Sequence, residues 1–179
     1  MITDIHGDHL NIETLNEIKT SNATFVVPEA VALKLPDNFK KNLIILNNGE
    51  DTVLNSIKIE AIPMYNLPET EDSRHPKGRG NGYILNIDGK SIYISGDTED
   101  IKEMRALKNI DVAFICMNLP YTMDIDQAAD AVLDFKPKVV YPYHYRGKPG
   151  LSDVNAFKQM VNEGNPKIEV KLLDWYPQL

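Results

Sequence analysis

Ile2-Thr3-Asp4-Ile5-His6-Gly7-Asp8-His9-Leu10, next to the start of the chain, is its densest grouping of metal-binding side-chain types. Two carboxylates and two imidazoles fall within the six positions from Asp4 to His9. A helical pattern follows at once, with Leu10, Leu15 and Ile18 on one side. A tight loop of this kind can aim several side chains at one point while the helix behind it holds the loop in place. Imidazole and carboxylate are the usual zinc donors where thiolates are absent. The single cysteine, Cys116, sits in the apolar run from Asp111 to Cys116 and reads as a buried small hydrophobe.

Working outward, the two remaining histidines of the four also stand beside turns or strand ends. His75 heads the glycine-rich stretch His75-Pro76-Lys77-Gly78-Arg79-Gly80-Asn81-Gly82-Tyr83. His144 closes Tyr141-Pro142-Tyr143-His144-Tyr145, where Pro142 disfavours a central ladder position. Between them, Ser95-Gly96-Asp97-Thr98 directly follows a β-rich run. That order places Asp97 at the C-terminal edge of a sheet, where α/β sites are commonly built.

The patterning predicts strands at 24–27, 43–46, 51–54 and 57–63, with a short helix over 29–35 and a loop over 64–81. Asp88-Gly89 between 82–87 and 91–95 is a hairpin signal. Helices near 99–107, 125–135 and 152–163 then alternate with strands at 111–116, 138–142 and 168–173. Ser152 is the expected N-cap of the last helix and Gly164 its stop. A hairpin-rich first half and an alternating second half predict a layered α/β architecture, read as a single domain over 1–179.

The order and spacing of these motifs resemble the metallo-β-lactamase superfamily. The first family motif, H-x-H-x-D-H, reads here Asp4-Ile5-His6-Gly7-Asp8-His9, with Asp4 in place of the first histidine. His75 corresponds to the third motif, Asp97 to the metal-bridging aspartate and His144 to the late histidine. The segments Ile62-Pro63-Met64-Tyr65-Asn66, Tyr121-Thr122-Met123-Asp124 and Tyr141–Tyr145 place it nearest the ascorbate-6-phosphate lactonase-like branch. The resemblance implies a four-layer αββα sandwich. It also implies N-terminal truncation, because the family's opening strands precede a motif with which this chain begins.

By the same resemblance, two divalent cations are expected, zinc first, with manganese or iron favoured more by a carboxylate at position 4. Asp4, His6 and His75 would hold one ion, Asp8, His9 and His144 the other, and Asp97 would bridge. Such a pair acidifies a shared water and polarises the substrate, so a metal-bound hydroxide attacks an ester, lactone or phosphorylated small molecule. Asp8 is the expected catalytic residue, orienting that hydroxide. Tyr65, Asn66 and Arg146 are expected to touch substrate, and Asp124 and Thr98 to accept from the ligating imidazoles. The alternatives are a phosphodiesterase or nuclease of the same fold, and a non-catalytic fragment that binds metal or a partner.

A formal charge of −7 and a pI near 5.1 argue against a nucleic-acid partner. No stretch approaches the roughly 20 apolar residues that span a membrane. The start of the chain leaves localisation open, with the cytoplasm as default. An uncovered sheet edge and exposed apolar surface predict either poor stability of the chain alone or its self-association as a homo-oligomer.

Overall fold

The computed structural model describes residues 1–18 and 22–177. Past the opening loop, α1 (Ile12–Glu17) is capped by Asn11, whose side chain accepts from the Thr14 N–H. β1 (Phe25–Val27), α2 (Glu29–Lys34) and a 3-10 turn (Asp37–Asn42) lead to β2 (Leu43–Ile45), which pairs parallel with β1. β3 (Asp51–Leu54), β4 (Ile57–Met64), β5 (Gly80–Ile87) and β6 (Lys90–Ile94) form an antiparallel meander. Then come α3 (Lys102–Arg105), β7 (Val112–Cys116), α4 (Ile125–Phe135), β8 (Val139–Tyr143), a short hairpin of β9 (Arg146–Gly147) and β10 (Gly150–Leu151), α5 (Val154–Gly164) and β11 (Glu169–Val170). The large sheet has seven strands in the order β11-β8-β7-β6-β5-β4-β3, parallel from β6 through β11.

Strand alternation sorts side chains into the expected four layers. Ile84 on β5, Tyr93 on β6, Ala113 and Ile115 on β7 and Val140 on β8 face α3, α4 and α5, where Met104, Val132, Phe135, Phe157 and Val161 complete the main core. Ile59, Ala61 and Tyr83 point the other way and meet Val26 and Leu46 of the small-sheet layer. Outside that layer, Phe25, Val27, Val31, Leu35 and Phe39 close a third cluster with Ile2 and Leu10. The four layers are therefore helices, seven-stranded sheet, two-stranded sheet, helices. The period-2 alternation of β5 is what allows one strand to serve two cores at once.

Gly82 is a packing necessity on that strand. A Cβ there would lie 2.7 Å from the Ser95 carbonyl oxygen and 2.9 Å from that of Ile94. Both obstacles are backbone of β6 and its exit, so neither can swing aside. Gly82→Ala is expected to cost about 1–3 kcal/mol, in line with other overpacking changes. A thermal melt of the variant against wild type tests this, and an unchanged midpoint would refute it.

Three expectations shift at their edges. α3 is a single turn, because Asp97 joins the site, Thr98 Oγ1 lies within bonding reach of Tyr65 backbone atoms, and Glu99 accepts from Asn66 Nδ2. α5 is capped by Asp153, which accepts from the N–H groups of Asn155 and Ala156, while Ser152 donates to the Met117 carbonyl. A carboxylate is the better partner for a helix N-terminus. The last strand keeps only Glu169–Val170, paired on one side with β8. Among the described residues no helix is long and apolar enough to cross a membrane.

Candidate metal centre

The opening loop is strung between the two sheets. Ile2 N–H donates to Val26 O at 3.2 Å and Asn81 N–H donates to Thr3 O at 2.9 Å, which ties the loop to β1 and β5. His6 O then accepts from His9 N–H at 2.9 Å and from Leu10 N–H at 2.7 Å, closing the turn that carries the ligand residues. Gly80 allows the approach: a Cβ there would stand 2.8 Å from Thr3 O.

The other side chains arrive from the same edge of the large sheet. Asp97 follows β6 through Gly96, whose φ of +64° suits glycine. His144 follows β8 and itself holds φ +46°, a left-handed conformation that a non-glycine residue adopts at a cost. That turn swings the imidazole off the strand and over the site. His75 sits on the loop between β4 and β5. Asn66 N–H donates to His75 O, and His75 N–H donates to Asn66 Oδ1, both at 2.9 Å.

Two donor clusters result, Asp8-His9-Asp97-His144 and Asp4-His6-His75. Asp97 reaches into both: its Oδ2 lies 3.2 Å from His9 Nε2 and 3.2 Å from His75 Nε2, and its Oδ1 lies 3.2 Å from His144 Nε2. Asp8 Oδ2 is 3.3 Å from His144 Nε2 and 3.8 Å from His9 Nε2. Asp4 Oδ2 is 2.8 Å from His6 Nδ1 and 4.0 Å from His75 Nε2.

Close as these atoms are, His6 Nδ1, His9 Nε2, His75 Nε2 and Asp97 Oδ1 are buried without an aligned hydrogen-bond partner. Buried polar atoms are normally paired, because leaving them bare costs about 1–3 kcal/mol each. Donors that share a tetrahedral cation at bonds of roughly 2.0–2.1 Å stand about 3.4 Å apart, near but not aligned for hydrogen bonds. The observed spacing and the orphaned atoms fit a cation, and an all-N/O donor set suits a borderline or hard divalent ion.

The electrostatics agree with that use. Burial pushes the Asp97 carboxyl up, but the neighbouring imidazoles of His144, His75 and His9 outweigh it and hold it far below the ordinary carboxylate range. His144 beside Asp8 holds that carboxyl down at about 2. Burial lowers the His144 imidazolium, yet Asp8 and Asp97 overcome this and raise it to about 9. Both aspartates are thus ionised at neutral pH, ready to meet positive charge.

Outer contacts aim the ring nitrogens. His75 Nδ1–H donates to Asn66 Oδ1 at 2.9 Å, which fixes the ring so that Nε2 faces Asp97. Asn66 is held in turn, its Nδ2 donating to Glu99 Oε1 at 3.0 Å and Tyr121 O at 2.9 Å. Thr3 Oγ1 lies 2.6 Å from His9 Nδ1 and does the same for that ring. Asn66→Ala is expected to weaken metal binding by about 10–100-fold, the usual cost of losing such a partner. Calorimetric titration of the metal-free variant measures this, and wild-type affinity would refute it.

The structure brings Asp4, His6, Asp8, His9, His75, Asp97 and His144 together. It places the expected substrate contacts differently. Tyr65 is buried in the main core, with its hydroxyl donating to Glu103 Oε2 at 2.8 Å, and Asn66 is spent on His75. Neither lines the open cleft. Arg146 does: a cleft of about 500 Å³ beside Asp8, His9 and His144 is walled by Ile94, Tyr143, Arg146, Trp175 and Tyr176. Asp124 caps α4 and Thr98 faces Tyr65, so neither supports an imidazole; Asn66 and Thr3 fill that role.

Sequence reading missed three contributors. Arg79 makes a two-pronged ion pair with Asp4, 75 positions away. Trp175 and Tyr176 reach the cleft from the end of the chain, past every motif. The basic run around His75 was a visible signal for Arg79; nothing local marked the aromatics.

A Beta-lactamase superfamily domain model matches residues 1–145. A UPF0173 metal-dependent hydrolase of Pyrococcus abyssi is 32% identical over 169 residues, covering 91% of this chain and 73% of the relative. The crystal structure of a Parabacteroides distasonis protein described as a metal-dependent hydrolase is 41% identical, with a TM-score of 0.84 over 96% of this chain and 73% of that one. Igni18, a metallo hydrolase of Ignicoccus hospitalis, is 30% identical at a TM-score of 0.77, over 96% and 74%. With the donor clusters standing where four layers of secondary structure meet, and with relatives of this similarity, the chain belongs to the metallo-β-lactamase superfamily as a metal-dependent hydrolase.

Proposed function

We propose that the chain hydrolyses a small-molecule ester, lactone or phosphorylated substrate, using two divalent cations, zinc first. Asp8, His9 and His144 would hold one ion, Asp4, His6 and His75 the other, and Asp97 would touch both. When bound, the cations supply an acidified water and a Lewis acid for the substrate oxygen.

The protein's own groups do the rest. Asp8 is the donor most open to the cleft, its side chain half exposed, and its carboxyl titrates at about 2. It stays a carboxylate at neutral pH, so it accepts a hydrogen bond from the attacking water and orients it. Asp97 and His75 are buried, and His9 is nearly so. Arg146, stacked with its Cζ 4.4 Å from the centre of the Tyr176 ring, offers a positive group to an anionic substrate. Ile94, Tyr143 and Trp175 offer apolar wall to the remainder.

The observation that carries this reading is the set of buried, unpaired ligand atoms converging beside an open cleft. The test is metal analysis of purified protein followed by assay on ester, lactone and phosphodiester panels. Less than half an equivalent of metal after reconstitution would end it. Metal with cleavage of phosphodiesters alone would move the assignment to a phosphodiesterase. Tight metal with no turnover on any panel would leave a metal-binding module.

A further inference from the structure

We infer that Arg79 makes the two halves of the centre unequal: the Asp4-Arg79 ion pair turns Asp4-His6-His75 into a weak, exchangeable cation site and leaves Asp8-His9-Asp97-His144 as the site that keeps its ion. The inference rests on the metal-dependent reading above and concerns how the centre loads.

The geometry is specific. Asp4 is wholly buried. Both of its oxygens accept from one guanidinium, Arg79 Nε to Oδ1 at 3.1 Å and Arg79 Nη2 to Oδ2 at 2.9 Å. The same Nη2 lies 3.5 Å from His6 Nε2. The fork of an arginine matches a carboxylate in this way and lends it a fixed positive charge, which never titrates away in the working range. Oδ2, the oxygen shared with Arg79, is also the one 2.8 Å from His6 Nδ1, where a cation would bond.

Counting formal charge separates the halves. Asp4 and Arg79 cancel, and His6 and His75 are neutral as ligands, so this cluster attracts a dication only through its share of Asp97. The other cluster carries Asp8 and Asp97 with two neutral imidazoles, and no lysine or arginine pairs with either carboxylate among the described residues. A dication entering the first cluster also meets the guanidinium across a single carboxylate, in a buried place where charges are poorly screened. A site built this way takes its ion second and releases it first.

The test is metal stoichiometry, not turnover. Metal-free wild-type protein titrated with zinc or cobalt(II) is expected to bind one tight equivalent and a second at least ~10-fold more weakly, the lower end of what outer contacts contribute. His144→Ala is expected to abolish the tight step and His75→Ala the weak one. Arg79→Gln frees Asp4 and removes a positive charge beside the site, and is expected to tighten the second equivalent by about 10-fold or more. Because Arg79→Gln leaves a buried carboxylate unpaired in the metal-free state, Asp4→His/Arg79→Gln removes the guanidinium and supplies a free imidazole in place of the tied carboxylate, and is expected to tighten the second step relative to wild type.

Two equal equivalents in wild type would overturn the inference. So would loosening of the second equivalent in Arg79→Gln, which would make the guanidinium an organiser of the site. A double variant whose second step was no tighter than in wild type would count against it as well. Each of these leaves the hydrolase assignment standing. Absence of any bound metal would instead remove both.

Discussion

Asp97→Asn is expected to lose metal from both clusters and to reduce hydrolysis to background. Asp97 is the one carboxylate within 3.2 Å of imidazole nitrogens from both sides, His9 and His144 on one, His75 on the other. The amide is close to isosteric, so packing around the buried side chain survives. What disappears is the negative charge that three imidazoles surround. Losing an outer partner alone costs about 10–100-fold in affinity, so losing a shared donor is expected to exceed ~100-fold. Elemental analysis after dialysis against trace zinc, with rates on the best substrate of the panel, gives both readouts. A variant that retained full metal and wild-type turnover would show that the two clusters do not share this residue.

The second large effect is a pH dependence of stability that appears when the ion is removed. Without metal, His144 is raised to about 9 by Asp8 and Asp97 despite burial that opposes it. A raised histidine contributes stability that is complete below its unfolded value near 6.5 and is lost as pH climbs through 9. About 2.5 pKa units correspond to roughly 3 kcal/mol, counted once for the coupled group of His144, Asp8 and Asp97. At about 2–4 °C per kcal/mol for a chain of this size, the chelated protein is expected to melt roughly 6–12 °C lower at pH 9 than at pH 6.5.

The loaded protein is expected to keep an almost constant melting point over this range, because His144 is neutral when a cation is bound and its unfolded value lies near 6.5. A cation needs the neutral imidazole, so binding displaces the His144 proton, and below pH 9 affinity rises with pH by up to about tenfold per unit. The gap between loaded and chelated melting points therefore widens from pH 6.5 to 9. Scanning fluorimetry with and without chelator measures it. His144→Gln should flatten the difference, which separates this group from others titrating in the same range. Equal melting points for chelated wild type at both pH values would refute the assignment.

The candidate donor set was legible before folding because all four histidines fall in it, and His6, Asp8 and His9 are local neighbours. The hairpin at Asp88-Gly89 and the long helix Ile125–Phe135 were legible for the same reason: their signals are complete within a dozen residues. Asp124 shows the limit. Standing near the motifs it reads as a partner for a ligating ring, but its position one residue before α4 makes it a cap, with Gln127 answering it in a capping box.

Tyr65 and Asn66 mark the same limit. Polar residues in a loop between motifs resemble a pocket lining, yet the fold buries Tyr65 against α3 and locks Asn66 to His75. Their partners, Glu103 and His75, are distant or across a turn, so no local pattern names them.

Residue type and order, through the family resemblance they carry, pointed to a metal-dependent hydrolase, and alternation along each strand dictates which face is buried. Tertiary structure alone settled which oxygen meets which nitrogen. It put Arg79 on Asp4, turned His144 into a left-handed conformation over the cleft, and brought Trp175 and Tyr176 to its wall. These contacts join segments tens of residues apart, and their energies depend on distance and burial, which exist only once the chain has closed on itself.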